Sequence, residues 1–264
     1  MYSIEQQALI KIAHLLRDAG IPATRLVDEI ALLTAWARAS DEAFGEVSWN
    51  EQQPDLRYAF TEMAKRLGEH GSVFEESRLL DSLSGSETNA ILGCLKQLSG
   101  ASGEALAKAL VAIAEKVSHP GQMITMATGQ FLADLCAPKK KHVVLNHEAA
   151  VPALVALEAV ESVTMRMLFH SPYAISVSYL MGAEVEVGKA VGFAEAPTLS
   201  EVVISMPPLQ ATGFSQTSKL KSDELATIRV ARECTSRGAV CVAPSVLFSR
   251  SSMKVREELI NNNW

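Results

Sequence analysis

The chain has 264 residues, 48% of them apolar and 20% charged, with a net charge of −6, which is ample for a sizeable buried core in one large domain or two smaller ones. The longest apolar runs fall far short of a bilayer span, and the opening Met-Tyr-Ser-Ile-Glu-Gln-Gln lacks the basic and apolar regions of a secretory signal. Cys94, Cys136, Cys234 and Cys241 show neither close pairing nor CxxC spacing, so they read as small buried residues in a reducing cytoplasm.

The first ~120 residues read as helices. Ser3 and Gln6 have the spacing of a capping box, and Ile4, Ala8, Leu9, Ile12, Leu15 and Leu16 then recur on one helical face until Gly20 and Pro22. A second amphipathic helix is expected from Thr24 to Arg38. Others are expected after Pro54, near Val73, near Glu87 and near Glu104, separated by turns such as Ser99-Gly100-Ala101-Ser102-Gly103. After Pro138 short β-rich runs at His142–Leu145, Ser162–Phe169, Glu184–Phe193, Glu201–Ile204 and Ala239–Val242 alternate with helical stretches at 149–160, 172–182, 221–236 and 252–262. That alternation predicts a mostly parallel, doubly wound sheet, whose ligands bind at the carboxyl ends of the strands where the topology reverses.

Charge divides unevenly. Residues 1–138 carry 11 Lys+Arg against 18 Asp+Glu (−7), and residues 139–264 carry 13 against 12 (+1). Neither half has the basic excess by which a protein grips duplex DNA unaided, so a DNA contact needs a local patch or a partner subunit. Lys139-Lys140-Lys141 fits either a phosphate contact or a solvated loop. His147-Glu148 invites a metal reading, but no second His or Cys stands at ligand spacing, which favours a structural histidine and no metal.

Ser236-Arg237-Gly238-Ala239-Val240-Cys241-Val242-Ala243-Pro244-Ser245-Val246-Leu247-Phe248, followed by Lys254-Val255-Arg256-Glu257-Glu258-Leu259-Ile260, resembles a strand, turn and helix of N6-adenine DNA methyltransferases of the type I restriction-modification system modification subunit family. Glu201 to Leu209 is similar to that family's fourth strand and its "NPPF" catalytic loop. Gly121-Gln122-Met123-Ile124-Thr125-Met126 resembles the "GEFYTP" segment that introduces the core, and the helical N-terminus resembles the helical domain before it. The resemblance implies an α/β fold, with a Rossmann-like S-adenosylmethionine-dependent methyltransferase core over residues 119–264, incomplete at its C-terminus, preceded by an all-α domain over residues 1–118.

What the resemblance implies at the site is erosion. The glycine-rich cofactor turn after the first strand matches Asn146 to Val155, where Ala150, Pro152 and Ala153 stand in place of glycines. Phe169 stands where an acidic residue accepts from the cofactor ribose. The catalytic positions are Met206, Pro207, Pro208 and Leu209: Met206 replaces the side chain that accepts from the adenine amino group, and Leu209 the aromatic that stacks on the flipped base. Thr125, Asn146, Ala150 and Phe169 are thus the family-matched cofactor positions. Residues 210–222, with Lys219 and Lys221, either face a DNA backbone or form a mobile surface loop. The expectation is a catalytically degenerate scaffold or DNA- and partner-binding component, binding no S-adenosylmethionine and working with other restriction-modification subunits. The alternative is an active S-adenosylmethionine-dependent adenine methyltransferase with an unusual pocket. A third possibility is a different nucleotide or small ligand in the same crevice.

Overall fold

The computed structural model describes residues 2–42, 56–117, 125–136, 141–158, 160–188, 199–212 and 220–262. The chain divides into two compact units, Met1–Met123 with His170–Gly182, and Ile124–Phe169 with Ala183–Trp264.

The first unit is helical. It contains α1 (Ile4–Asp18), α2 (Ala23–Glu42), α3 (Leu56–Leu67), the single-turn α4 (Ser72–Glu75) and α5 (Leu79–Ser82), α6 (Gly85–Leu95), α7 (Gly103–Val117) and, from further along the chain, α10 (Pro172–Met181). The Ser3–Gln6 capping box forms as expected, with the Gln6 amide on Ser3 Oγ and the Ser3 amide on Gln6 Oε1, both at 3.2 Å. Leu9, Ile12 and Leu16 of α1 are fully buried with Leu26 and Leu33 of α2. Phe60 is also fully buried and meets Trp36 and Phe74 edge-on at centroid distances of 6.0 and 5.1 Å.

Two carboxylates on α2 tie down other segments of this unit. Asp28 accepts the Tyr173 amide at 3.3 Å, supplementing Ser171, the N-cap of α10. Glu29, completely buried, accepts from Ser77 Oγ at 2.6 Å and the Arg78 amide at 2.9 Å. Burial raises both carboxyl pKa values, against the hydrogen bonds and the charge of Arg25. The stretch at 172–182 reads in sequence as one more helix of the strand-helix alternation, yet it belongs with the helical unit.

Among the described residues the second unit is built on a five-stranded, wholly parallel sheet in the order β3-β2-β1-β4-β5. The strands are β1 (His142–Asn146), β2 (Ser162–Met167), β3 (Glu184–Val187), β4 (Ser200–Ser205) and β5 (Cys234–Val240). Its helices are α8 (Met126–Cys136), α9 (Val151–Ala156), α11 (Ser222–Glu233), α12 (Pro244–Phe248) and α13 (Met253–Asn261). Val144, Val203 and Val230 form a core between the sheet and α11. Gly129 of α8 lies so close to α9 that a Cβ there would come within 2.4 Å of the Pro152 carbonyl carbon. Gly129→Ala is therefore expected to cost about 1–3 kcal/mol, measured by chemical denaturation; an unchanged midpoint would contradict this close approach.

The parallel sheet follows the expectation, with local departures. The helix expected at 221–236 stops at Glu233, and β5 occupies Cys234–Val240 rather than Ala239–Val242. An edge strand with Thr235, Ser236, Arg237 and Gly238 exposed carries no apolar alternation to announce it. The helix expected at 149–160 begins as a 3-10 turn, Glu148–Ala150, and ends at Ala156. β2 stops at Met167, short of Phe169, and β3 covers Glu184–Val187 and gives way to a bend at Gly188, with residues 189–193 of its expected span lying outside the described residues. Helices α8 and α12 were not expected. Among the described residues no helix is long and apolar enough to cross a membrane.

Candidate functional site

In this strand order the chain runs outward in one direction through β2 and β3 and in the other through β4 and β5. The topology therefore switches between β1 and β4, the place where open α/β sheets hold ligands. Asn146 ends β1 opposite Ser205 of β4 and Arg166 of β2. The Met206 amide donates to the Asn146 carbonyl at 3.1 Å, which carries the ladder one residue past β4.

Asn146, Ala150, Met206 and Pro207 are all buried at or beyond this edge. Asn146 is 1% exposed, and neither its Oδ1 nor its Nδ2 has a hydrogen-bond partner among the described residues; the same holds for Ser205 Oγ. Ala150, Val151 and Ala153 are at 0% exposure and Leu154 at 1%. These side chains belong to the buried core between the turn, α9 and the sheet. Phe169 and Leu209 instead turn outward, at 72% and 55% exposure. The Phe169 amide points at Glu148 Oε1 at 3.5 Å. Thr125 makes its described hydrogen bonds within the first turn of α8, to Thr128 and Gly129. Of the catalytic-loop and cofactor positions, Asn146, Ala150, Met206 and Pro207 are thus buried together at the sheet edge, while Phe169, Leu209 and Pro208 are exposed.

His147 is the strained residue of the turn. Its φ of 75° and ψ of 149° lie in a region that is essentially glycine's. Its amide donates to the Arg166 carbonyl at 2.7 Å and its carbonyl accepts from Ala150, which fixes the turn at both ends. The side chain is 2% exposed, with Nδ1 lacking a partner among the described residues. Burial, and then the positive charge of Arg229, push its pKa down to about 4, so the ring is neutral at physiological pH. Among the described residues no cluster of His, Cys, Asp and Glu could hold a metal ion.

Beneath α11 lies a buried ion network absent from the sequence reading. Arg166, 5% exposed, donates Nε to Glu186 at 2.8 Å and Nη1 to Glu233 at 3.2 Å; Glu233 also receives Arg229 Nε at 2.7 Å. An arginine inside the apolar run Val163–Met167 was the available signal, since a charge in a buried strand needs a partner.

A second polar knot holds the loop after β4. The fully buried Asp223 accepts the Ala243 amide at 3.1 Å and Gln210 Nε2 at 2.9 Å, with Gln210 itself in the left-handed region at φ 58°. Lys221 donates to Gln210, and the Ser222 hydroxyl donates to the Pro208 carbonyl. Lys221 thus serves the loop rather than standing free. Lys219, Lys139 and Lys140 lie outside the described residues.

Comparison with known protein families gives no match, and comparison with curated proteins gives none either. Among solved structures, a chain from work on complex assembly and conformational transition of the type I R-M system superposes with a TM-score of 0.69 at 12% identity. That match covers 95% of this chain, which spans 66% of that chain's length. A class I S-adenosylmethionine-dependent methyltransferase from Listeria monocytogenes matches at a TM-score of 0.49 and 14% identity, over 89% of this chain and 79% of its own. The type I restriction enzyme EcoKI M protein matches at 0.41 and 15%, over 97% and 61%. The fold is therefore an α/β one, a parallel sheet with helices before it, as in the first of these structures.

Proposed function

We propose that this chain is a methyltransferase-derived protein that has lost methyl transfer and serves as a scaffold in a restriction-modification or related DNA-defence assembly, holding partner subunits and duplex DNA in register. The observation that carries this reading is the filled turn after β1: Ala150, Val151, Ala153 and Leu154 are completely or almost completely buried where a nucleoside cofactor needs backbone bare of side chains. S-adenosylmethionine does not fit these residues. Pro152 offers no amide N–H, the Phe169 side chain has no acceptor for a ribose hydroxyl, and the Met206 side chain offers an adenine amino group only a weakly accepting thioether. A single unpaired buried polar contact costs roughly 1–3 kcal/mol, and losses at three contacts together would abolish useful affinity.

Isothermal titration with S-adenosylmethionine is expected to show no binding up to millimolar concentration. Micromolar affinity would sink the proposal. One observation favours a second reading: the partnerless side chains of Asn146 and Ser205 are polar groups at the switch point that a ligand could satisfy. An active adenine-specific methyltransferase would transfer labelled methyl from S-adenosylmethionine to duplex DNA and lose that transfer on Pro207→Ala. A different ligand in the crevice would appear as a thermal shift with neither binding nor transfer of methyl.

A further inference from the structure

We propose that Ser162 is a nucleophile activated by His142 and a hydroxyl-bridged carboxylate, and that it accepts acyl groups from small esters with stable leaving groups. The site lies at the amino ends of the strands, the edge of the sheet opposite Asn146 and Met206, and owes nothing to the functional reading above.

Four side chains from three neighbouring strands make it. His142 opens β1, Ser162 opens β2 and Glu184 opens β3, with Thr164 two residues into β2. The register sets His142 beside Ser162 and Thr164 beside Glu184. Ser162 and Thr164 are two apart in a strand of period two, so all four side chains project from one face of the sheet. Ser162 Oγ stands 2.7 Å from His142 Nδ1, and His142 Nε2 stands 3.4 Å from Thr164 Oγ1. The Thr164 hydroxyl donates to Glu184 Oε2 at 3.4 Å. Arg166, next along β2 on that face, is committed to Glu186 and Glu233 and leaves Glu184 to Thr164.

The direction of the relay follows from its far end. An ionised carboxylate only accepts, so the one proton of the Thr164 hydroxyl goes to Glu184, and Thr164 accepts from His142. Nε2 therefore carries the ring proton. Nδ1 of the neutral imidazole is left as the acceptor, and Ser162 donates to it. A base-activated serine requires this order: a hydroxyl in reach of an unprotonated ring nitrogen, with the ring held in that tautomer by a third group. The two outer links are long, as catalytic hydrogen bonds often are without a substrate. Ser162 is exposed and His142 half-buried, so the nucleophile meets solvent while its base is sheltered.

In the step itself Ser162 Oγ attacks the acyl carbon and its proton passes to Nδ1. The ester C–O bond then breaks and that proton leaves with the departing alcohol. Water, deprotonated by the same nitrogen, later releases the acyl group as the acid. The relay supplies a nucleophile and a base but no donor for the oxyanion, so activation of the carbonyl has to come from the substrate. Aryl esters meet that condition.

The test is incubation of the full chain with a fluorophosphonate, read by mass spectrometry of its peptides. In that reaction the Ser162 Oγ–P bond forms, the P–F bond breaks, and fluoride and the hydroxyl proton are lost. The expected result is a single adduct, on Ser162, absent from Ser162→Ala. His142→Gln should slow labelling by roughly 100-fold, the low end of general-base catalysis. Thr164→Val keeps the side-chain shape without the hydroxyl, and should slow it on the order of tenfold because the ring loses its orientation; it also carries the test if His142→Gln does not fold. Release of p-nitrophenol from p-nitrophenyl acetate should fall in the same order. No adduct, an adduct elsewhere, or parental rates in the His142 and Thr164 variants overturns the proposal.

Discussion

Arg166→Ala is expected to destabilise the α/β unit by about 3–5 kcal/mol, the usual effect of removing one member of a buried ion pair. The guanidinium is held between two carboxylates from different elements, Glu186 on β3 and Glu233 at the end of α11. Without it the 2%-exposed Glu233 keeps Arg229 alone and sits beside a cavity. The loss belongs at the lower end of that range, because Glu186 is partly exposed and can find water. Arg166→Lys keeps the charge but cannot reach both carboxylates with a planar fork, and should lose roughly half as much. Denaturant titration of the two variants decides the matter. Equal losses would mean that neither charge nor packed volume suffices without the two-pronged guanidinium, and a lysine variant as stable as the parent would mean that the fork is dispensable.

Acidification should destabilise the same unit through His147. Its pKa falls from 6.5 in the unfolded chain to about 4 in the folded one, so between those values the unfolded chain binds more protons. Stability is then complete above pH 6.5 and declines as pH falls toward about 4, by about 3 kcal/mol in all, and this contribution flattens below that. His147→Gly should remove that slope. At neutral pH the glycine should stay within about 1 kcal/mol of the parent, because relief of the φ 75° strain offsets the lost burial. Unfolding free energies measured from pH 4 to 7 test both statements. A parallel slope in the glycine variant would show that other groups carry the acid sensitivity. Asp28 and Glu29, whose pKa values are raised, act in the opposite sense: they penalise the folded state as pH rises through those values.

Both predictions concern residues that pattern reading handles poorly. Hydrophobic period found α1, α2, α7, β1 and β4 because each has one face that must be buried, and that requirement is written locally. The Ser3–Gln6 box was legible for the same reason, since a cap is satisfied within four residues. β5 was displaced because an exposed edge strand has no buried face to mark it, and α10 reads like any other crossover helix although it belongs to the helical unit. Asn146 and Met206 were paired in one site by the family resemblance, and the structure sets them at the ends of the neighbouring strands β1 and β4, while nothing local says that Phe169 turns to solvent.

The amino-acid sequence by itself determined the helix-then-parallel-sheet order, which follows from side-chain type and spacing, whereas the expectation of a site at Asn146 and Met206, and of side chains in place of glycines between β1 and α9, came from the resemblance to the methyltransferase family. Only the tertiary structure decided that the side chains of this turn are buried, that His147 is held neutral in a glycine-like conformation, and that Arg166, Glu186, Glu233 and Arg229 form one network. The reason is physical. Burial and charge pairing depend on which distant segments meet, as β2, β3 and α11 do at Arg166, and that meeting is a property of the packed sheet rather than of any stretch of chain.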